Sequence, residues 1–219
     1  DFGRVLSEYV DVIVCRSKAH ETIDSLAAVS SVPVINGLSD YCHPCQALAD
    51  LYTLRAHVGR LAGMSLAFVG DGNNVARSLA VVCGLLGMRF VLAAPEGFQF
   101  DDAFRGHLRD ILPRAEIEET TDPVAAVKDA ACVYTDVWTS MGQEKERLER
   151  QRAFRPYQVN AALMRHCPDA LFMHCLPARR GEEVTDDVID GDRSVVVEEA
   201  ANRMHVQKGL LAWLLGHQG

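Results

Sequence analysis

From residue 64 onward, short apolar runs alternate with segments whose apolar residues recur every three or four positions. A short apolar run bounded by turn residues reads as a buried strand, and the longer period reads as a helix. The runs at 65–69, 89–93, 115–119, 132–135 and 170–174 predict five strands. The segments at about 75–86, 101–112, 122–129, 143–153 and 160–167 predict helices between them. Strand and helix in regular alternation imply a parallel sheet covered on both faces. A last helix, at about 200–215, carries Val206, Leu210, Leu211 and Leu214 on one face.

The first 63 residues show the same pattern in part. A helix end is expected at 1–9, a strand at 10–15, a helix at 20–29 and a strand at 32–36. These strands are nearly continuous in apolar residues, which implies burial on both faces, and two strands cannot supply that alone. Residues 1–42 are therefore expected to be part of a domain whose N-terminal portion is missing. A helix at 43–58 lies in an interdomain link, 43–63. Residues 64–198 form the second domain, and 199–219 a C-terminal helix that returns to the first. The fold class is α/β: a parallel sheet with helices on both faces, preceded by part of a second α/β domain.

The bulk numbers narrow the functions available. A 48% hydrophobic and 24% charged chain is ordinary for a globular protein. No apolar run reaches membrane-spanning length. A net charge of -8 argues against a nucleic-acid surface, while local Arg residues can still hold a small anion. Seven Cys, an odd number, do not suggest a disulfide framework, and a reducing compartment is the simpler reading.

Three polar clusters close three of the expected strands. They are Gly70-Asp71-Gly72-Asn73-Asn74, the stretch Asp136 to Gly142, and His174-Cys175-Leu176-Pro177. In the usual 3-2-1-4-5 order those strands are neighbours, so the clusters would line one crevice at the switch point. Gly70-x-Gly72 lacks the third glycine of a dinucleotide fingerprint, so a tight turn into a helix is as good a reading; Asn74 at that helix start could receive a carboxylate. Cys42-His43-Pro44-Cys45 raises redox and zinc readings, with His174 and Cys175 as further ligands if the fold brings them close. A stronger alternative is that His43 and Gln46, three apart on a first helical turn, face one way and bind a carbonyl or carbamoyl group. Taken singly, each candidate has a bland reading. Asp136 could cap a turn, Ser140 could be a solvated loop residue, Cys175 an inert thiol, and Arg16 and Arg203 surface ion-pair partners. The Arg147, Arg150 and Arg152 run with Glu144, Glu146 and Glu149 reads as a solvated helical face.

Together, His43-Pro44-Cys45-Gln46, Gly70-Asp71-Gly72-Asn73-Asn74, Asp136-x-Trp138-x-Ser140-Met141-Gly142, His174-Cys175-Leu176-Pro177 and Asn202-Arg203 resemble the ornithine carbamoyltransferases, over essentially the whole chain. The resemblance implies transfer of the carbamoyl group of carbamoyl phosphate to the δ-amine of L-ornithine, giving L-citrulline and phosphate, in arginine biosynthesis or a catabolic arginine pathway. It implies that Arg16, His43, Gln46 and Arg203 hold carbamoyl phosphate. It implies that Asn74, Asp136, Ser140, Met141, Cys175 and Leu176 hold ornithine, with His43, Cys175 and Arg203 nearest the chemistry. It further implies no metal or organic cofactor, no nucleic-acid or membrane partner, a homotrimer at full length, and a cytoplasmic enzyme, with the mitochondrial matrix as the alternative. Two features depart from the family. Its Ser-Thr-Arg-Thr phosphate loop is expected upstream of Asp1, so these 219 residues alone are expected to be inactive. Ala201 stands where the family has Glu, which is expected to loosen Arg203. A non-catalytic or regulatory ornithine-binding relative is the competing reading, and a dinucleotide-dependent oxidoreductase a third.

Overall fold

The computed structural model of the chain describes residues 1–139 and 144–216. Two parallel sheets divide it. The smaller follows helix α1 (Phe2–Ser7) and pairs β1 (Ile13–Arg16) with β2 (Val34–Leu38) across helix α2 (His20–Val29). Pairing sets the ends of these strands. Pro33 has no N–H to give a ladder, so the ladder starts at Ile13 against Val34, and residues 10–12 stay outside it. Burial on both faces, expected from the apolar run, is not seen: Val14 is 63% exposed and β2 is half-buried throughout.

Helix α3 (Pro44–Val58) leads to the second sheet, β3 (Ser65–Val69), β4 (Arg89–Ala93), β5 (Ile117–Thr120), β6 (Cys132–Thr135) and β7 (Leu171–His174). Their spatial order is β5-β4-β3-β6-β7, all parallel, which is the doubly wound arrangement expected. Strand β5 starts two residues later than the apolar run suggests, because the Ala115 N–H closes a turn on the Leu112 carbonyl. Central strand β3 is buried at every position. Its side chains alternate between two cores, as the period of two requires. Leu66 and Phe68 join Phe90, Leu92, Tyr134 and Met173 beneath α3, α4 (Asn74–Leu85) and α5 (Asp102–Ile111). Ala67 and Val69 join Val91, Val133 and Phe172 beneath α6 (Pro123–Val127), α7 (Arg147–Phe154), α8 (Ala161–Met164) and α9 (Asp186–Ile189). Each such fully buried large side chain is worth about 1.5–3 kcal/mol.

Helix α8 is shorter than its pattern. His166 and Cys167 donate three residues back, and Pro168 disfavours further helix. Helix α10 (Val196–Gly216) begins earlier than expected and packs along α3. Glu198 and Glu199 therefore lie in its first turn, where carboxylates favour the helix dipole.

Candidate active site

A cavity of about 1360 Å³ opens beyond the carboxyl ends of β1, β2, β3, β6 and β7. Arg16, His43, Gln46, Asn74, Asp136, Cys175, Leu176 and Arg203 all line it. Ser140 and Met141 lie outside the described residues.

One end of the cavity is cationic. Arg16 leaves β1 and Arg203 comes from α10, and neither has a hydrogen bond or ion pair among the described residues. His43 caps α3, ahead of Pro44 at the first helical position. Its backbone N–H donates to Ser78 Oγ at 2.7 Å, which locks the start of α3 onto α4. Its ring is buried, and its Nδ1 has no partner among the described residues. Burial, then Arg203, then Arg16, lower its pKa to about 4. The imidazole is therefore neutral at pH 7 and offers one N–H beside two guanidinium groups. Gln46 lies one turn along, with its Nε2 on Asp50 Oδ1 at 2.7 Å and on Glu199 Oε1 at 3.2 Å.

The other end is anionic and closely bonded. Asp136, just past β6, is buried. Its Oδ2 accepts from Asn73 Nδ2 at 2.7 Å, and its Oδ1 accepts from the Val137 N–H at 2.7 Å and the Cys175 thiol at 3.1 Å. Asn73 in turn caps α4, its Oδ1 accepting from the Val75 and Ala76 N–H groups. Asn74 donates to the Ser39 carbonyl at 2.7 Å, a bond from the second unit to the loop after β2. The Cys175 pKa is raised well above its ordinary value, by burial first and then by Asp136, so the group is a thiol and a donor. Leu176 has φ 54°, a left-handed conformation that costs a non-glycine residue about 1–2 kcal/mol. His174 holds this bend. Its Nδ1 accepts from the Leu176 N–H at 2.8 Å, which leaves the proton on Nε2 to donate to buried Glu183 at 3.1 Å.

Asp136, His174 and Cys175 bring metal-ligand atoms within 4.8 Å of one another. Their donors and acceptors are already used: both His174 nitrogens are bonded, as are both Asp136 oxygens. Among the described residues Cys42 and Cys45 join no such cluster. Burial raises both of these thiols, the opposite of an activated redox pair. Gly72 also has a structural reason: a Cβ there would stand 2.9 Å from the Gln99 backbone carbon.

Residues 62–214 match the family description "Aspartate/ornithine carbamoyltransferase, Asp/Orn binding domain", and residues 1–56 match "carbamoyl-P binding domain" of the same family. The chain belongs to the aspartate/ornithine carbamoyltransferase family. It is 53% identical over 219 residues to the ornithine carbamoyltransferase of Pyrococcus abyssi, covering 99% of this chain and 69% of that one. A relative of the same name from Bacillus subtilis is 50% identical over 218 residues, covering 98% and 68%. The solved ornithine carbamoyltransferase of Pyrococcus furiosus superposes with a TM-score of 0.93 at 52% identity, covering 99% of this chain and 70% of that one.

Several groups in this carbamoyltransferase cavity were not among the expected site residues. Asn73, not Asn74, is the helix cap and the partner of Asp136. Arg150 is not on a solvated face. It is buried, pairs with Asp71, donates to the Trp138 carbonyl at 2.7 Å, and lies over the rings of Phe98 and Phe154. Asp50 and Glu199 stand behind Gln46. A buried arginine among alternating charges leaves no mark in sequence, because its partner lies 79 residues away.

Proposed function

We propose that this chain carries the carbamoyl transfer from carbamoyl phosphate to the δ-amine of L-ornithine, giving L-citrulline and phosphate. One observation carries this reading: a single cavity has two arginines, without ion-pair partners among the described residues, beside a neutral histidine at one end and a buried carboxylate at the other. Arg16, Arg203 and His43 suit a phosphorylated carbonyl compound, and Gln46 suits its amide. Asp136 suits a substrate ammonium, with Asn74, Cys175 and Leu176 around it, and Ser140 and Met141 following in the chain. The δ-amine attacks as the free base. Its nitrogen bonds to the carbamoyl carbon, the bond from that carbon to the phosphate oxygen breaks, and the amine proton leaves with phosphate. Charge developing on the carbonyl oxygen is met by the Arg203 and His43 donors. Positioning two substrates in one dry cavity supplies much of the remaining rate.

The same reading assigns residues 1–42 to carbamoyl phosphate, 43–63 to the link, 64–198 to ornithine and 199–219 to a returning helix. It extends to a homotrimer in the cytoplasm. Among the described residues no helix is long and apolar enough to cross a membrane. The test is citrulline formation by the full-length gene product supplied with both substrates. Citrulline with one phosphate per turnover is expected, and ornithine binding without citrulline would sink the reading.

A further inference from the structure

Behind the cavity lies a buried polar cluster that the reaction as described does not use. Asp50, on α3, and Glu199, in the first turn of α10, are both fully buried and face each other. Among the described residues neither forms an ion pair with an arginine or lysine. Glu199 Oε1 accepts from the Tyr134 hydroxyl at 3.2 Å, and its Oε2 accepts from the His174 backbone N–H at 3.0 Å. Gln46 Nε2 donates to both carboxyls, as given above. Gln46 Oε1 is buried and has no partner among the described residues.

We propose that Asp50 and Glu199 are positioning residues: they occupy both N–H groups of the Gln46 amide and so leave its carbonyl oxygen to accept from the NH₂ of the carbamoyl group. This rests on the carbamoyl phosphate reading above. An amide has two donors on one side and an acceptor on the other. Turning it over would set its oxygen against two carboxyls and lose two bonds to acidic groups, each stronger than a neutral pair. The cluster also joins α3, α10, β6 and β7, so it ties Gln46 at one end of the cavity to the strand that carries Cys175 at the other.

Burial raises both carboxyls, Asp50 to about 7; Asp50 raises Glu199 further, whereas a hydrogen bond from Glu199 lowers Asp50, so the pair keeps a proton at neutral pH and holds it on Glu199. The groups facing it are Tyr134, Gln46, the His174 N–H and, at longer range, Arg203. A carboxamide at position 50 keeps the hydrogen bond that Asp50 accepts from Gln46, whereas both Glu199 oxygens accept, so a carboxamide there would turn its NH₂ toward a donor; an apolar side chain keeps none of these bonds.

The experiment compares Asp50→Asn with Asp50→Leu and Glu199→Met in the full-length protein, measuring KM for each substrate. Asp50→Asn is expected to keep the carbamoyl phosphate KM within about threefold of wild type. The apolar variants are expected to raise it about tenfold or more while the ornithine KM moves less than about threefold. Equal changes in both KM values, or no change with the apolar variants, would overturn the proposal and leave the function standing. Wild type that makes no citrulline would instead remove the function. The amide's orientation is then decided by the ¹⁵N side-chain signal of Gln46. Slow proton exchange in wild type that becomes fast in Asp50→Leu supports it, and fast exchange in wild type refutes it.

Discussion

Asp136 accepts hydrogen bonds from three donors, and two of them, Asn73 and Cys175, come from other strand ends. A carboxylate held this way is oriented before any ligand arrives. Asp136→Asn keeps the shape and removes the charge, so it is expected to raise the ornithine KM about 10- to 100-fold, the worth of a hydrogen bond to a charged group. The carbamoyl phosphate KM is expected to change little. Steady-state kinetics with each substrate varied in turn checks this, and an equal rise in both would contradict the assignment. Much at this scale was legible in the sequence. Asp136, Cys175, His43 and Gln46 stand in motifs at expected strand and helix ends, where side chains reach a shared crevice. Asn73, Asp50 and Glu199 were not, because each acts by holding another residue across the fold, and local spacing carries no record of that.

The central strands of the second sheet were readable because burial on both faces demands unbroken apolar runs. Their ends were less so, since a partner sets them: Pro33 fixes where the first ladder begins. The α7 run was misread at one residue: Glu146, Arg147, Glu149 and Arg152 are exposed as expected, but Arg150 is buried. Its pattern of charges suggests water on that face, yet Arg150 is enclosed between Asp71, the Trp138 carbonyl and two rings. This arginine connects α7 to the loops after β3 and β6, the two that supply Asn73 and Asp136. Arg150→Met would remove the ion-pair partner of Asp71. A loss of about 3 kcal/mol is expected, or roughly 6–12 °C in the thermal midpoint. Arg150→Met with Asp71→Asn is expected to recover more than half of it. Thermal unfolding followed by circular dichroism checks both, and a double variant no more stable than the single one would count against the pairing.

Across the whole molecule, the bonds from His43 to Ser78 and from Asn74 to Ser39 link the two units at the cavity. His43 carries an acid sensitivity with them. Its pKa falls from 6.5 to about 4 on folding, so the unfolded chain binds the proton more readily. Its contribution is fully present above pH 6.5 and is lost as pH falls toward 4, amounting to about 3 kcal/mol. Asp50, raised from 3.8 to about 7, acts in the opposite sense, its contribution being lost as pH rises through 7. The histidine part is isolated by urea unfolding of wild type and His43→Gln between pH 7 and 4. Wild type is expected to lose more stability than the variant, and parallel profiles would contradict it.

The proposed transfer needs one cavity to receive an acyl phosphate at its arginine end and an amine-bearing amino acid at its carboxylate end. The most direct measurement is acceptor competition in the full-length protein, with carbamoyl phosphate as donor and ornithine or aspartate as acceptor. Asp136 repels a second carboxylate where it attracts an ammonium, a difference of several kcal/mol. The kcat/KM for ornithine is expected to be at least about 1000-fold above that for aspartate. Comparable values for the two acceptors, or a preference for aspartate, would contradict it.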